Sequence, residues 1–149
     1  MGGSILILLK EITKENFWHC IELMVAEKQV DFVTSNAVSI AQSKVQPECI
    51  PLAVYDDEIM IGFLMYCIDE DDGEYWIYRM MIDKKYQSKG YGKKALEKLL
   101  EIIKQDNNHH KIFLGVHKES TNAVNLYKSF GFQFNGQIFG SEHIMRLDY

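Results

Sequence analysis

A chain of 149 residues, 47% hydrophobic and 25% charged, has the size and balance of one globular domain and not of a disordered, fibrous or disulfide-stapled protein. Its net charge of −5 disfavours a nucleic-acid partner, which wants a basic face, and favours cationic ones. Cys20, Cys49 and Cys67 are odd in number and lack CxxC spacing, so neither a disulfide framework nor a zinc site is expected, and free thiols fit the cytoplasm.

The opening MGGSILILL holds five consecutive apolar residues, well short of the roughly 18 to 20 of a membrane span, and has no basic segment of a secretory signal. Gly2 to Ser4 read as disordered or added for expression, and position 6 is Leu6 where myristoylation wants Ser or Thr. Ile5 to Leu9 is predicted as a first strand. Thr13 then offers an N-cap hydroxyl to a helix running to about Lys28, with Phe17, Ile21 and Met24 on one face. Asn36 to Lys44 is a second, shorter helix. From Pro51 the pattern alternates: Leu52 to Tyr55, a turn at Asp56 and Asp57, and Ile59 to Ile68 form a hairpin.

The acidic loop DEDDGE, residues 69 to 74, leads into a strand over Tyr75 to Ile82. QSKGYGKK, residues 87 to 94, opens a helix over Tyr91 to Lys104 whose apolar positions 95, 96, 99, 100 and 103 make one buried stripe. Lys111 to Val116 is a β-rich strand, and Asn122 to Phe130 is helical and stops at Gly131. Phe132 to Phe139 and Glu142 to Leu147 close the chain as a hairpin turning at Gly140 and Ser141. The order β α α β β β α β α β β implies a single α/β domain over residues 1–149. Its sheet should be antiparallel at first and locally parallel across the helix after Gly92.

Glycines at a helix start let backbone N–H groups approach an anion, aided by the helix dipole, but the same pair also suits a plain strand-to-helix turn. A nucleotide P-loop needs GxxxxGK[ST], which does not occur. Gly90, Gly92 and Ala95 match the dinucleotide form GxGxxA, yet the preceding strands make a hairpin meander. The next strand also ends in Gly115, Val116 and His117, with no acidic residue.

The strand YWIYRMMI, then Gln87-x-x-Gly90-x-Gly92, then an amphipathic helix, resembles the acetyl-CoA site of the GNAT family of N-acetyltransferases, whose signature is [QR]xxGx[GA]. STNAVNLYKSFGF, residues 120 to 132, resembles that family's second cofactor element, an Asn-led helix with a tyrosine ending in Gly-Phe. Within the family, the run from VAEKQVDF and KSFGFQFNGQ look most like bacterial spermine/spermidine acetyltransferases. That subgroup often has glycine where this chain has Ser88, a harmless departure if Ser88 keeps a negative φ.

The resemblance implies transfer of an acetyl group from acetyl-CoA to a polyamine amine in the cytoplasm, with no metal, nucleic acid or membrane, and suggests a homodimer. It implies that the backbone of Gln87, Ser88, Lys89, Gly90, Tyr91, Gly92 and Lys93 holds the pyrophosphate, with Lys89, Lys93 and Lys94 adding charge. Met80, Met81 and Ile82 would pair with the pantetheine arm, and Asn122 would hydrogen-bond the cofactor or cap its helix. Tyr127 is the expected general acid, because a phenol of pKa near 10 can serve a departing thiolate without ionising. Glu74 is the candidate base, acting through water, and Tyr78 occupies the strand position where some polyamine acetyltransferases have a glutamate. Glu22, Glu27 and Asp31, with Asp69 to Asp72, are candidates to attract the polycation. His19, His109, His110, His117 and His143 have no metal-ligand spacing. Two other readings stay open, a GNAT enzyme acting on a protein amine or an amine antibiotic, and a non-catalytic acetyl-CoA sensor.

Overall fold

The computed structural model describes residues 4–26 and 34–149. Seven strands form one sheet: β1 (Ile7–Glu11), β2 (Ile50–Asp56), β3 (Ile59–Ile68), β4 (Tyr75–Ile82), β5 (Lys111–Val116), β6 (Gln133–Phe139) and β7 (Glu142–Asp148), in the spatial order β1-β2-β3-β4-β5-β7-β6. All neighbours are antiparallel except β4 and β5, which run parallel because α3 (Tyr91–Lys104) crosses between them. The mixed sheet and the element order agree with the expectation from sequence. Among the described residues, no helix is long and apolar enough to cross a membrane.

One face of the sheet is covered by α3 and α4 (Thr121–Ser129). The predicted stripe of α3, Ala95, Leu96, Leu99, Leu100 and Ile103, is buried there against Ile61, Leu64, Ile77, Ile112, Leu114 and Phe132. Each of its larger aliphatic side chains contributes roughly 1.5 to 3 kcal/mol on burial. The other face carries α1 (Phe17–Glu22) and α2 (Asn36–Val45), packed through Cys20, Leu23, Ala53, Phe63, Met65, Cys67 and Met81. Ser35 caps α2, its Oγ accepting from the Val38 N–H at 3.2 Å.

The N-terminal expectations need correction. The first strand begins two residues later than predicted, at Ile7, and α1 spans six residues only. Thr13 does not cap it directly: Thr13 and Asn16 close a turn through each other's side chains, at 2.7 and 3.3 Å. The buried side chains are Cys20 and Leu23, while Met24 is 53% exposed. Leu23 is already extended, because the chain beyond it is tied across the fold. The Met24 N–H donates to the buried Asp83 carboxylate at 2.9 Å, and the Met24 carbonyl accepts from the Lys84 N–H at 2.7 Å. Lys28, the predicted helix end, lies outside the described residues.

Two irregularities of β4 shape everything that follows. Met65 faces Arg79 and Tyr66 faces Ile77, so Tyr78 is an extra residue, a β-bulge that turns both Tyr78 and Arg79 toward the α2 side. In addition, β4 and β5 pair only over Tyr75–Ile77 and Ile112–Leu114. Beyond those residues they separate, leaving a wedge between Arg79–Met80 and Gly115–Val116 in the middle of the sheet.

Candidate active site

A groove of about 430 Å³ runs along the wedge on the α3 and α4 side. Met80, Met81 and Ile82 form one wall, Gln87, Ser88, Gly90, Tyr91 and Gly92 its end, and Asn122, Ala123 and Leu126 of α4 the other wall. The structure thus brings together most of the predicted cofactor residues. Lys89 and Lys93 are exposed beside the loop and do not line the groove.

The local backbone explains why this end of the groove suits an anion. A short 3-10 turn at Lys84–Tyr86 follows β4, and Gln87 bends the chain back by donating its Nε2 to the Ile82 carbonyl at 2.9 Å. Ser88 (φ 64°) and Gly90 (φ 85°) are both left-handed, so the condition under which serine at 88 is a harmless departure is not met. The reversal from β4 into α3 requires that geometry, which is why glycine suits position 88; a side chain there costs roughly 1–2 kcal/mol. Nothing lies within 4 Å of where a Cβ on Gly90 would sit, so its need for glycine is conformational.

Gly90 is also the N-cap of α3 and has no side chain to accept from the first-turn N–H groups, and that turn contains no acidic residue. It carries Lys93 and Lys94 instead, the unfavourable sign for the positive end of a helix dipole, costing about 0.3–1 kcal/mol each at exposed positions. Lys94 offsets part of this through Glu97 at 3.8 Å. Free N–H groups, two lysines and an absent side chain at Gly92 fit a pyrophosphate, which removes both deficits. The helix start is held by Tyr91, whose hydroxyl donates to Asp56 Oδ2 at 2.6 Å, and that bond keeps the Asp56 carboxyl below its usual range. Asn122 is not the cap of α4, since Ser120 occupies that position, so its placement in the groove wall is separate from capping.

At Met80 and Ser120 the groove opens into a second cleft of about 440 Å³ that passes through the wedge to the opposite face. Tyr127 lines it from the α4 side, buried and packed edge-to-face on Phe132 with ring centroids 5.9 Å apart. Burial, and secondarily the charge of Glu142, push its phenol up to about 12, so it is a proton donor at neutral pH. Gly115, Val116 and His117 at the end of β5 form the facing edge, and Phe139, Ser141 and Glu142 from the last hairpin close the far side.

From there the cavity continues along the α2 face past Tyr78, Arg79 and Glu142 to Asp69, Gln42 and Trp76. The Tyr78 hydroxyl donates to Asp69 Oδ2 at 2.7 Å, and burial together with that carboxylate raises its pKa far above the usual phenol. Arg79 Nη2 donates to Gln42 Oε1 at 3.1 Å and Nη1 to the Tyr78 carbonyl at 2.8 Å. Trp76 stacks on Phe113 and lies 6.3 Å from the Phe139 ring.

Other expected positions do not converge here. Glu74 lies at the start of β4, acting on Tyr149, and does not line the cleft. Six residue steps along the strand separate it from Met80, roughly 20 Å, too far for one bridging water. Glu22 is exposed at the end of α1, in a neighbouring hollow with Met24 and Ser35 that meets the Tyr127 cleft at Thr34 without itself lining that cleft. Glu27 and Asp31 lie outside the described residues. Of the acidic loop, Glu70 and Asp71 are exposed and line neither cavity, Asp72 accepts from the Glu74 N–H and the Trp76 Nε1–H, and Asp69, which accepts from the Asp71 N–H at Oδ1 and from Tyr78 at Oδ2, is the loop carboxylate that reaches the cavity. No group of three or more metal-ligating side chains occurs among the described residues.

Sequence reasoning missed Arg79, His117, Phe139 and Glu142. Two signals point to them: ligands collect beyond the C-terminal ends of parallel strands, where His117 sits, and a lone glycine inside a strand, Gly115, marks a close approach.

Comparison with known proteins agrees with this geometry. Residues 10–132 match the model of the acetyltransferase (GNAT) family. The spermine/spermidine N(1)-acetyltransferase of Bacillus subtilis is 33% identical over 146 residues, covering 93% of this chain and 96% of that protein. Among solved structures, the spermidine N-acetyltransferase from Vibrio cholerae in complex with CoA and spermine superposes with a TM-score of 0.73 at 18% identity, covering 95% of this chain and 93% of that one. The aminoglycoside acetyltransferase AAC(6')-Ib in complex with coenzyme A does so with a TM-score of 0.79 at 17% identity, covering 96% and 95%. With a family match over most of its length and a wedge flanked by a helix-capped anion cradle, the chain belongs to the GNAT family of acetyl-CoA-dependent N-acetyltransferases.

Proposed function

We propose that this enzyme acetylates a primary amine of a polyamine such as spermidine or spermine. The observation that carries the reading is the cavity beyond Tyr127. It runs past aromatic walls at Tyr78, Trp76 and Phe139 and contains two carboxylates, Glu142 and Asp69, against one guanidinium, Arg79. Arg79 already donates to Gln42 and to a carbonyl, so the passage offers a net acidic, aromatic-sided path to an extended polycation. The 33% identity to the Bacillus enzyme supports the same substrate class.

The reaction follows from the two faces of the wedge. Acetyl-CoA enters along Met80–Ile82 with its pyrophosphate at the start of α3, and the amine approaches from the α2 side. The bound ammonium first loses a proton to solvent, the neutral amine attacks the thioester carbonyl, a C–N bond forms, and the C–S bond breaks. Tyr127 donates a hydrogen bond from its hydroxyl to the departing thiolate, the nitrogen sheds its extra proton, which protonates the thiolate through solvent, and N-acetylamine and CoA leave. Protein acceptors and aminoglycosides are the competing amines. Thiol release measured with spermidine, spermine, a basic peptide and an aminoglycoside in parallel tests the assignment. Spermidine or spermine should give the highest kcat/KM, and a clear preference for the peptide or the aminoglycoside would refute it.

A further inference from the structure

The residue that binds the reacting amine was not evident from the motifs, and the geometry points to Glu142: we propose that its carboxylate, admitted by the missing side chain of Gly115, anchors the acceptor ammonium at the wedge. Gly115 and Ile144 are register partners on β5 and β7, so Glu142, two residues before Ile144, projects on the same face of the sheet. A Cβ on Gly115 would lie 3.2 Å from both Cδ and Oε1 of Glu142 and 3.3 Å from its Cβ. The carboxylate therefore rests across the α-carbon of residue 115, in space that a side chain there would occupy. That is a physical reason for a glycine in the interior of a strand that otherwise reads KIFLGV.

Three features make this carboxylate a binding group for substrate. It lines both the Tyr127 cleft and its continuation toward Asp69, so it stands where the two meet. It is half-buried, yet none of the four ion pairs among the described residues includes it, and such a charge gains most from an arriving cation. It also lies on the opposite face from Tyr127 while its charge still acts on that phenol, which brackets the reacting carbon between amine and leaving sulfur. Of the other charged and titratable groups around the cleft, Asp69 accepts from Tyr78, Arg79 donates to Gln42, and His117 borders the β5 edge. The inference rests on transfer to an amine and does not depend on the amine being a polyamine.

Steady-state kinetics at saturating acetyl-CoA, with spermidine and with a simple alkyl monoamine, test it in Glu142→Gln, Glu142→Asp and Gly115→Ala. Loss of a charge-assisted contact should raise the KM of Glu142→Gln for every accepted amine about ten-fold or more. CoA affinity by titration and the melting temperature should stay at wild-type values. Glu142→Asp should recover part of the loss. Gly115→Ala, which displaces the carboxylate by a few tenths of an ångström, should change KM in the same direction by less. An unchanged amine KM in Glu142→Gln, a loss confined to kcat, or one accompanied by weaker CoA binding would overturn the proposal. Equal use of monoamine and spermidine by the wild type would instead remove the polyamine reading and leave the Glu142 comparison standing.

Discussion

Tyr127→Phe removes one oxygen and keeps the ring that packs on Phe132 at 5.9 Å, so its effect isolates the hydroxyl. With the phenol near 12, full proton transfer to a simple thiolate of pKa about 8.5 is uphill by some 3.5 pH units, or roughly 5 kcal/mol. A charge-assisted hydrogen bond to the sulfur as negative charge develops is worth about 1.5–3 kcal/mol. The expected fall in kcat is therefore about 10- to 100-fold, reaching only the lower bound of the range for complete general-acid catalysis. Stopped-time assays of thiol release should show this with CoA affinity unchanged. The pH profile supplies an independent check: a phenol pushed up to about 12 stays protonated below pH 10, so Tyr127 contributes no alkaline limb between pH 8 and 10. An unaltered kcat in Tyr127→Phe would refute the role. So would an alkaline limb near pH 8 to 9 that disappears in the variant, because the phenol would then ionise far below the value its burial imposes.

Asp69→Asn should raise KM for spermidine about five-fold, the worth of roughly 1 kcal/mol from a half-exposed charge, and leave a monoamine unaffected; equal effects on both would place the second ammonium elsewhere. Ser88→Gly relieves a left-handed serine, offset by the entropy glycine loses on folding, and should stabilise the fold by up to about 1 kcal/mol in denaturant unfolding. Gln87→Ala frees the Ile82 carbonyl and should weaken CoA binding about five-fold, equivalent to one neutral hydrogen bond, as read by calorimetric titration.

The cofactor side of this enzyme was legible because it is local. Met80–Ile82, the 87–92 loop and the start of α3 are contiguous, and the stripe from Ala95 to Ile103 carries its period without interruption. The misreadings there came from tertiary ties that no short window contains. α1 stops at Glu22 because Met24 is bonded to Asp83 and Lys84, some 60 positions away, and Ser88 turns left-handed because the loop must return from β4 to α3. Propensity and periodicity describe a segment alone, and these two conformations are imposed by its neighbours.

The proposed acceptor side is assembled differently, from Gln42 on α2, Tyr78 and Arg79 at the bulge, Gly115 on β5 and Glu142 on β7. A sequence shows an acidic loop at 69–74 and invites it to be the whole substrate trap, yet Glu70 and Asp71 stand exposed outside the cavity, Asp72 is committed to the Glu74 N–H and the Trp76 indole, and Asp69 alone of the loop lines the cavity, anchored there by the Asp71 N–H and the Tyr78 hydroxyl. What selects among the carboxylates is the sheet. The bulge at Tyr78 turns side chains toward α2, and the early end of β4 and β5 pairing at Ile77 and Leu114 opens the passage between the faces. The register of β5 with β7 then sets Glu142 over the bare α-carbon of Gly115. On the proposed reading, local motifs specify where acetyl-CoA is held, whereas the amine site depends on strand register, because the groups assigned to it come from four separate elements that only the fold brings together.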